Sequence, residues 1–73
     1  MNNFGANLKL YRSALGLSQA ELADKVDVHQ TMIAQIENGH KTPGMSLALR
    51  LAQFFNVTIE DMLASKTRQP EPA

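Results

Sequence analysis

The sequence contains no cysteine among its 73 residues. A disulfide framework, a thiolate metal site and a thiol redox sensor are therefore excluded. The sequence also has no apolar run long enough to cross a membrane, and no charged leader followed by an apolar segment. Neither membrane insertion nor secretion is indicated, so we expect a cytoplasmic protein that forms one small domain.

An excess of charge of one sign is also missing, because seven Lys and Arg residues balance seven Asp and Glu residues. DNA-binding domains are often markedly basic, and a neutral chain attracts phosphate only weakly at long range. If the protein binds DNA, most contacts must come from side-chain amides, hydroxyls and backbone amides. The expected salt dependence of binding is correspondingly shallow.

The residue combinations typical of catalysis are absent as well. The sequence has no Gly-rich phosphate loop, no grouping of Ser, His and an acidic residue, and no paired carboxylates in an expected cleft. His29 and His40 have neither a cysteine nor an acidic residue at ligand spacing, so no metal site is indicated. We expect a protein that is not an enzyme and that uses no cofactor and no small-molecule substrate.

Two short helical patterns meet across a tight break at Asp27. Ser18 and Glu21 are spaced as a capping box, which predicts the start of the first of these helices. The second helix is expected from about residue 29 to residue 37, ending at the Asn38-Gly39 pair, which suits a helix C-terminus. The short connection requires a positive φ, which Asp27 tolerates at some cost.

The second helix of this pair has an uncharged outer side. Projection at about 100° per residue separates an inner side from an outer side. The inner side contains His29, Met32, Ile33 and Ile36. The outer side contains Gln30, Thr31, Ala34, Gln35 and Asn38. These outer residues match base-edge chemistry, because a Gln amide pairs with adenine and Thr or Ala meets a thymine methyl. The alternative interpretation is that they are ordinary exposed polar residues.

Three sequence motifs occur together at fixed spacing: LSQAELA at 17–23, IENG at 36–39, and Thr42-Pro43. With these motifs the chain resembles the helix-turn-helix of the phage repressor and Cro family, also called the xenobiotic-response-element family. The resemblance extends over residues 4–63. It implies an all-α, compact five-helix bundle of the lambda-repressor-like DNA-binding type, in which helices 2 and 3 form the helix-turn-helix.

The sequence departs from the family at two positions, which are Asp27, where the family usually has Gly, and His29, where it commonly has Ser or Thr. The other helices are expected from an apolar repeat that ends near Gly16, from an almost wholly apolar segment at 45–55, and from a second capping-box pattern at 58–61. Repeat positions of the first helix are Phe4, Leu8, Tyr11 and Leu15, and Ile59, Met62 and Leu63 should close the core.

The domain organisation follows from these patterns. Residues 1–64 should form the helix-turn-helix DNA-binding domain, and residues 65–73 a flexible C-terminal tail, since they contain two prolines and no apolar periodicity. The apolar excess of the fourth helix predicts a dimer interface at Leu47, Leu51 and Phe54. The alternative is that this apolar surface is entirely intramolecular.

The resemblance implies a set of site residues. DNA bases would be contacted by Gln30, Thr31, Ala34 and Gln35. DNA phosphates would be contacted by Arg12, Ser18, Gln19, Asn38 and Lys41. Gln19 would also brace Gln30, and Arg12 and Glu37 would form a structural ion pair.

The expected function is sequence-specific regulation of transcription, as a repressor that binds a palindromic operator in double-stranded DNA as a homodimer. One recognition helix per subunit would enter the major groove, with half-sites about 34 to 36 Å apart. Three alternatives remain open: the antitoxin of a toxin–antitoxin pair, a restriction-modification controller, and a protein-interaction module of the same fold. A toxin or an antirepressor is therefore a further candidate partner.

Overall fold

The computed structural model describes residues 3–64, which form five α-helices and no strand. The helices are α1 (Phe4–Ala14), α2 (Gln19–Lys25), α3 (Gln30–Glu37), α4 (Met45–Phe55) and α5 (Ile59–Leu63). The predicted five-helix fold, with α2 and α3 as the helix-turn-helix, is confirmed. The predicted tail lies outside the described residues. Within residues 3–64, no helix is long and apolar enough to cross a membrane.

The turn between α2 and α3 uses a left-handed residue. Asp27 has φ 60°, as the sequence predicts. The Val28 N–H donates to the carbonyl of Ala23 at 3.0 Å, which closes the end of α2. Asn56 has the same φ of 60° after α4. Asp and Asn adopt this conformation more readily than branched residues, so both helices can end abruptly.

All five helices contribute to one hydrophobic core. The largest fully buried side chains are Leu8, Leu22, Ile33, Ile36, Leu51 and Met62. Two of these belong to α3, whose inner side is therefore fixed against the bundle. Burying a large aliphatic side chain contributes about 1.5–3 kcal/mol, so the core holds α3 firmly in place.

Helix α1 packs closely against α3 and α5. A Cβ atom at Gly5 would overlap the carbonyl oxygen of Ile36, so the two backbones can approach only because residue 5 is glycine. Asn7 is 3% exposed, and its Nδ2 donates to the carbonyl oxygens of Met62 at 2.7 Å and Ala64 at 3.1 Å. One helix thus positions the end of α3 and the end of α5.

Two residues predicted to belong to the core lie at the surface. Leu15 is 58% exposed because α1 ends at Ala14, before the apolar repeat is complete. Leu63 is 51% exposed, whereas its neighbour Met62 is fully buried. The short α5 can turn only one side toward the core, and Met62 occupies that side.

Candidate nucleic-acid interface

The two sides of α3 differ in burial as the projection predicts. Ile33 and Ile36 are 0% and 1% exposed. Gln30, Thr31 and Gln35 are exposed on the outer side. The outer side of α3 in the described chain therefore carries neutral hydrogen-bonding groups that are free to meet a ligand.

Of the two remaining outer residues, Asn38 follows the same division and Ala34 does not. Ala34 is half-buried and Asn38 is exposed. A small residue at position 34 leaves room between longer polar neighbours. None of the five outer residues carries a charge, which is unusual for a surface that only meets water.

Two residues assigned to the inner side are not buried there. His29 is exposed and precedes α3 as its N-cap, with no hydrogen bond from its side chain to the helix. The projection placed it wrongly because residue 29 has extended backbone and does not continue the helical rotation. Met32 is only half-buried, so one part of its side chain packs on the core and the other is open.

The start of α2 is fixed by the predicted capping box, which is confirmed. The Glu21 N–H donates to Ser18 Oγ at 3.0 Å, and the Ser18 N–H donates to Glu21 Oε1 at 2.8 Å. Both groups are exposed. The hydroxyl of Ser18 is therefore held at the surface in one orientation.

The predicted ion pair between Arg12 and Glu37 is also confirmed. Arg12 Nε donates to Glu37 Oε2 at 2.7 Å, and Nη2 donates to Oε1 at 3.1 Å. Gln19 Nε2 donates to the same Oε1 at 3.0 Å, and Arg12 Nη1 donates to the carbonyl of Leu17 at 2.7 Å. This polar network joins α1, the start of α2 and the last turn of α3.

The network changes the roles expected for Arg12 and Gln19. Arg12 uses three of its nitrogens inside the protein and is 13% exposed, so its geometry does not support the predicted phosphate contact. The amide of Gln19 donates to Glu37, whereas the prediction was a contact with Gln30. Hydrogen bonding to Glu37 raises the pKa of Arg12, partial burial lowers it, and attraction to the carboxylate adds to the rise.

The loop after α3 carries Lys41, the cation nearest to this helix in sequence. Gly39 has φ +80°, and the N–H groups of His40 and Lys41 both donate to the carbonyl of Gln35, at 2.9 and 3.2 Å. These bonds fold the loop back over the end of α3. Lys41 itself is exposed there, and its phosphate contact remains a prediction.

A further contact supports the turn between α2 and α3. Arg50 of α4 donates from Nη1 to the carbonyl oxygen of Val26 at 2.8 Å. This carbonyl lies at the end of α2, where backbone acceptors lack helical partners. Sequence reasoning missed this contact because it joins residues far apart in the chain.

The predicted dimer strip of Leu47, Leu51 and Phe54 is not a surface. Leu51 is 0% and Leu47 is 8% exposed, and Phe54 is half-buried and in edge contact with Phe55. The alternative of intramolecular packing holds for Leu47 and Leu51. The large apolar side chains that α4 and α5 expose are different ones: Met45 at 68%, Leu49 at 43% and Leu63 at 51%.

Sequence comparison decides the family. The sequence profile described as Helix-turn-helix, HTH_3, matches residues 8–62. The chain belongs to this family. An uncharacterised HTH-type transcriptional regulator of Methanocaldococcus jannaschii is 44% identical over 55 residues, which cover 75% of this chain and 83% of that protein.

Solved structures of helix-turn-helix proteins have the same fold. The DNA-binding domain of the P22 c2 repressor superposes with a TM-score of 0.82 at 25% identity, covering 97% of this chain and 96% of that one. The restriction-modification controller protein C.AhdI of Aeromonas hydrophila superposes with a TM-score of 0.75 at 27% identity, covering 82% and 91%.

This helix-turn-helix chain is accordingly an HTH-type transcriptional regulator. Within residues 3–64, no group of His, Asp and Glu could hold a metal ion. All buried side-chain nitrogen and oxygen atoms in that range have hydrogen-bond partners. Exposed polar groups lie on the outer side of α3 and on the loops beside it.

Proposed function

We propose that this helix-turn-helix protein is a cytoplasmic repressor that binds a palindromic operator as a homodimer, with α3 of each subunit in a major groove. The observation that carries the proposal is the uncharged, exposed outer side of α3, held outward by the burial of Ile33 and Ile36. A surface of this chemistry suits base edges better than phosphates, because base edges offer neutral donors, acceptors and methyl groups.

The roles we assign to individual residues follow from their chemistry. Gln30 and Gln35 would make bidentate hydrogen bonds to adenine, and Thr31 and Ala34 would meet thymine methyl groups. The DNA backbone would be held by exposed or partly exposed polar groups at the edges of this surface. These phosphate-binding residues are Ser18, Gln19, Asn38 and Lys41. Gln19 keeps one amide hydrogen for this purpose, since the other is used on Glu37.

The dimer contact belongs, in this proposal, to the exposed apolar face formed by Met45, Leu49 and Leu63. Met45 and Leu63 line one shallow apolar cavity of about 160 Å³ together with Pro43 and Ile59. Exposed apolar surface is costly in water, and a two-fold operator requires a two-fold protein. We therefore assign this face to a second copy of the chain.

The dimer contact can be tested by sedimentation. The double variant Met45→Glu and Leu63→Glu should be monomeric at concentrations where the wild type is dimeric, because it places charges in the proposed contact. Leu10→Glu is a matched control, since Leu10 is also exposed, at 48%, but lies on α1. Dimers that survive in the double variant would contradict this assignment.

Selection of bound sites from a random DNA pool tests the function itself. The proposal predicts enrichment of inverted repeats whose half-sites are centred about one helical turn apart. Recovery of random sequences, or no recovery at all, would refute it. A reporter gene downstream of the recovered site should be expressed less when the protein is present, whereas higher expression would identify an activator.

A second candidate function is that of a restriction-modification controller, because a protein of that kind has the same fold over nearly its whole length. This function would be favoured by a methyltransferase gene beside the coding sequence, with the selected operator upstream of that gene. A toxin gene in that position would favour the antitoxin alternative instead. A protein-interaction module would show no salt-sensitive DNA binding.

A further inference from the structure

An open groove of about 530 Å³ runs beside the reading surface of α3. Its lining residues are Asp27, Val28, His29, Thr31, Met32 and Gln35. The floor is apolar, because Val28 and Met32 are half-buried side chains that pack against the core on one side and face the groove on the other. The groove is therefore a fixed surface feature with an apolar floor and polar edges.

The groove is continuous with the proposed base-reading surface. Thr31 and Gln35 are one helical turn apart on α3, Met32 lies beside them, and Val28 belongs to the turn just before the helix. Projection places Met32 about 60° from Gln35. Thr31 and Gln35 belong to both surfaces, so DNA that contacts these two residues also covers the groove.

The charge of the groove indicates what kind of group it takes. Asp27 is the acidic residue of the lining, and neither Lys nor Arg lines the groove. A phosphate would be repelled by the Asp27 carboxylate and would find no cation to pair with. An uncharged apolar group fits the floor, and the apolar group that DNA offers in the major groove is the C5-methyl of thymine.

We propose that Met32, supported by Val28, forms a seat for the C5-methyl group of one thymine in each half-site. Met32 is thereby a specificity-determining residue, because only an A·T pair carries this methyl group. Gln35, at the edge of the groove, hydrogen-bonds to polar atoms of the same or the adjacent base pair, while Thr31 meets the methyl group of a different thymine. This inference rests on the proposed function and adds a contact that neither the base-reading set nor the phosphate set contains.

The side chain of methionine suits this task. Its thioether is polarisable and its chain is flexible, so it can adapt to a methyl group that approaches at an angle. Covering one methyl group with apolar surface changes affinity by about fourfold. That effect is large enough to measure and too small to account for DNA binding as a whole.

Replacing thymine by uracil tests the proposal, because this change removes the C5-methyl group and leaves the hydrogen-bonding edge intact. Each thymine of the selected operator is replaced in turn, and the dissociation constant is measured by fluorescence anisotropy. For the wild type, we expect uracil to weaken binding by about fourfold at each thymine whose methyl group is covered, and one of these positions in each half-site belongs to Met32. No effect at any position would overturn the proposal.

Variants then assign the methyl seat to a residue. In Met32→Ala and in Met32→Gln, replacing thymine by uracil at that position should leave the dissociation constant almost unchanged. Met32→Leu keeps an apolar group and should retain most of the discrimination. The glutamine variant preserves the size of the side chain, so it remains informative if the alanine variant is poorly folded.

A matched variant distinguishes Met32 from its neighbour. Thr31→Ser removes only the γ-methyl group of Thr31 and keeps its hydroxyl. At the thymine assigned to Met32, Thr31→Ser should retain the fourfold discrimination, because the methyl group that Thr31 meets belongs to another thymine. Loss of discrimination at that position in Thr31→Ser and its retention in Met32→Gln would overturn the assignment. If the protein had no preferred operator, the proposed function itself would be refuted. Failure of the proposed function is thus distinguished from failure of the Met32 assignment.

Discussion

The contacts that orient α3 and the contacts that hold α4 are of different kinds. At the end of α3, Glu37 accepts three hydrogen bonds from Arg12 and Gln19, and each has a required direction. Helix α4 is held mainly by apolar side chains such as Leu47 and Leu51. Directional contacts fix the angle of a helix more sharply than apolar packing does. Helix α3 therefore has the sharper constraint, which agrees with the proposal that this helix enters the major groove of DNA.

The same difference explains where prediction from the sequence failed. Helix α4 is apolar on nearly all sides, so its sequence does not distinguish the face that packs from the face that is exposed. Leu51 and Leu49 are both leucines, yet the first is 0% and the second 43% exposed. For α3, the buried isoleucines and the exposed Gln30, Thr31 and Gln35 lie on the predicted sides, whereas Met32 and Ala34 are both half-buried.

The largest effect is expected from breaking the polar network. Arg12→Met leaves the Glu37 carboxylate, which is 2% exposed, without its charged partner. An unpaired buried charge typically costs about 3–5 kcal/mol. We expect the free energy of unfolding to fall by about that amount, measured by urea denaturation, and operator affinity to fall with it as α3 loses its support.

A double variant checks this explanation. Arg12→Met combined with Glu37→Leu removes both charges and should be clearly more stable than Arg12→Met alone. Gln53→Ala, an exposed polar residue of α4, serves as a control with little effect. Equal stability of the single and double variants would show that charge burial is not the cause.

The next largest effect on stability is expected at the buried Leu51 of α4, in contrast to the exposed Leu49. Leu51→Ala should lower the free energy of unfolding by about 2–5 kcal/mol, because it opens a cavity in the core. Leu49→Ala should change it by less than about 0.5 kcal/mol in the monomer. Thermal and urea unfolding of the two variants measure the difference, and similar losses would contradict the observed burial.

A smaller effect is expected at the contact between α1 and α5. Asn7→Ala removes the donor that serves the carbonyls of Met62 and Ala64, and a buried acceptor left without a partner costs about 1–3 kcal/mol. Relative to the wild type, hydrogen exchange in Asn7→Ala should be accelerated more strongly in α5 than in α3. Uniformly faster exchange in both helices would mean that Asn7 acts on the whole fold and not on α5.

Local features of the fold were predictable because the residues that create them are neighbours in sequence. The capping box of Ser18 and Glu21 spans three positions, and the left-handed turn needs only Asp27. The pair of Arg12 and Glu37 was expected through the family resemblance. These features place the two helices of the helix-turn-helix correctly.

Contacts between distant residues were not predictable. Asn7 with α5, Gln19 with Glu37, and Arg50 with Val26 join helices whose relative positions depend on the whole core. The groove beside α3 was missed because a projection assigns Met32 to one side or the other. In the structure it lies at the boundary, half on the core and half on the surface.

Gln35 provides the most direct test of the claim that the outer side of α3 reads bases. The measurement is the ratio of dissociation constants for the selected operator and for a scrambled duplex of equal length, in the wild type, in Gln35→Ala and in the control Gln53→Ala. We predict that Gln35→Ala weakens operator binding by about 1–3 kcal/mol and lowers the ratio, while Gln53→Ala leaves it unchanged. An equal loss of affinity for both duplexes in Gln35→Ala would contradict base reading by this surface.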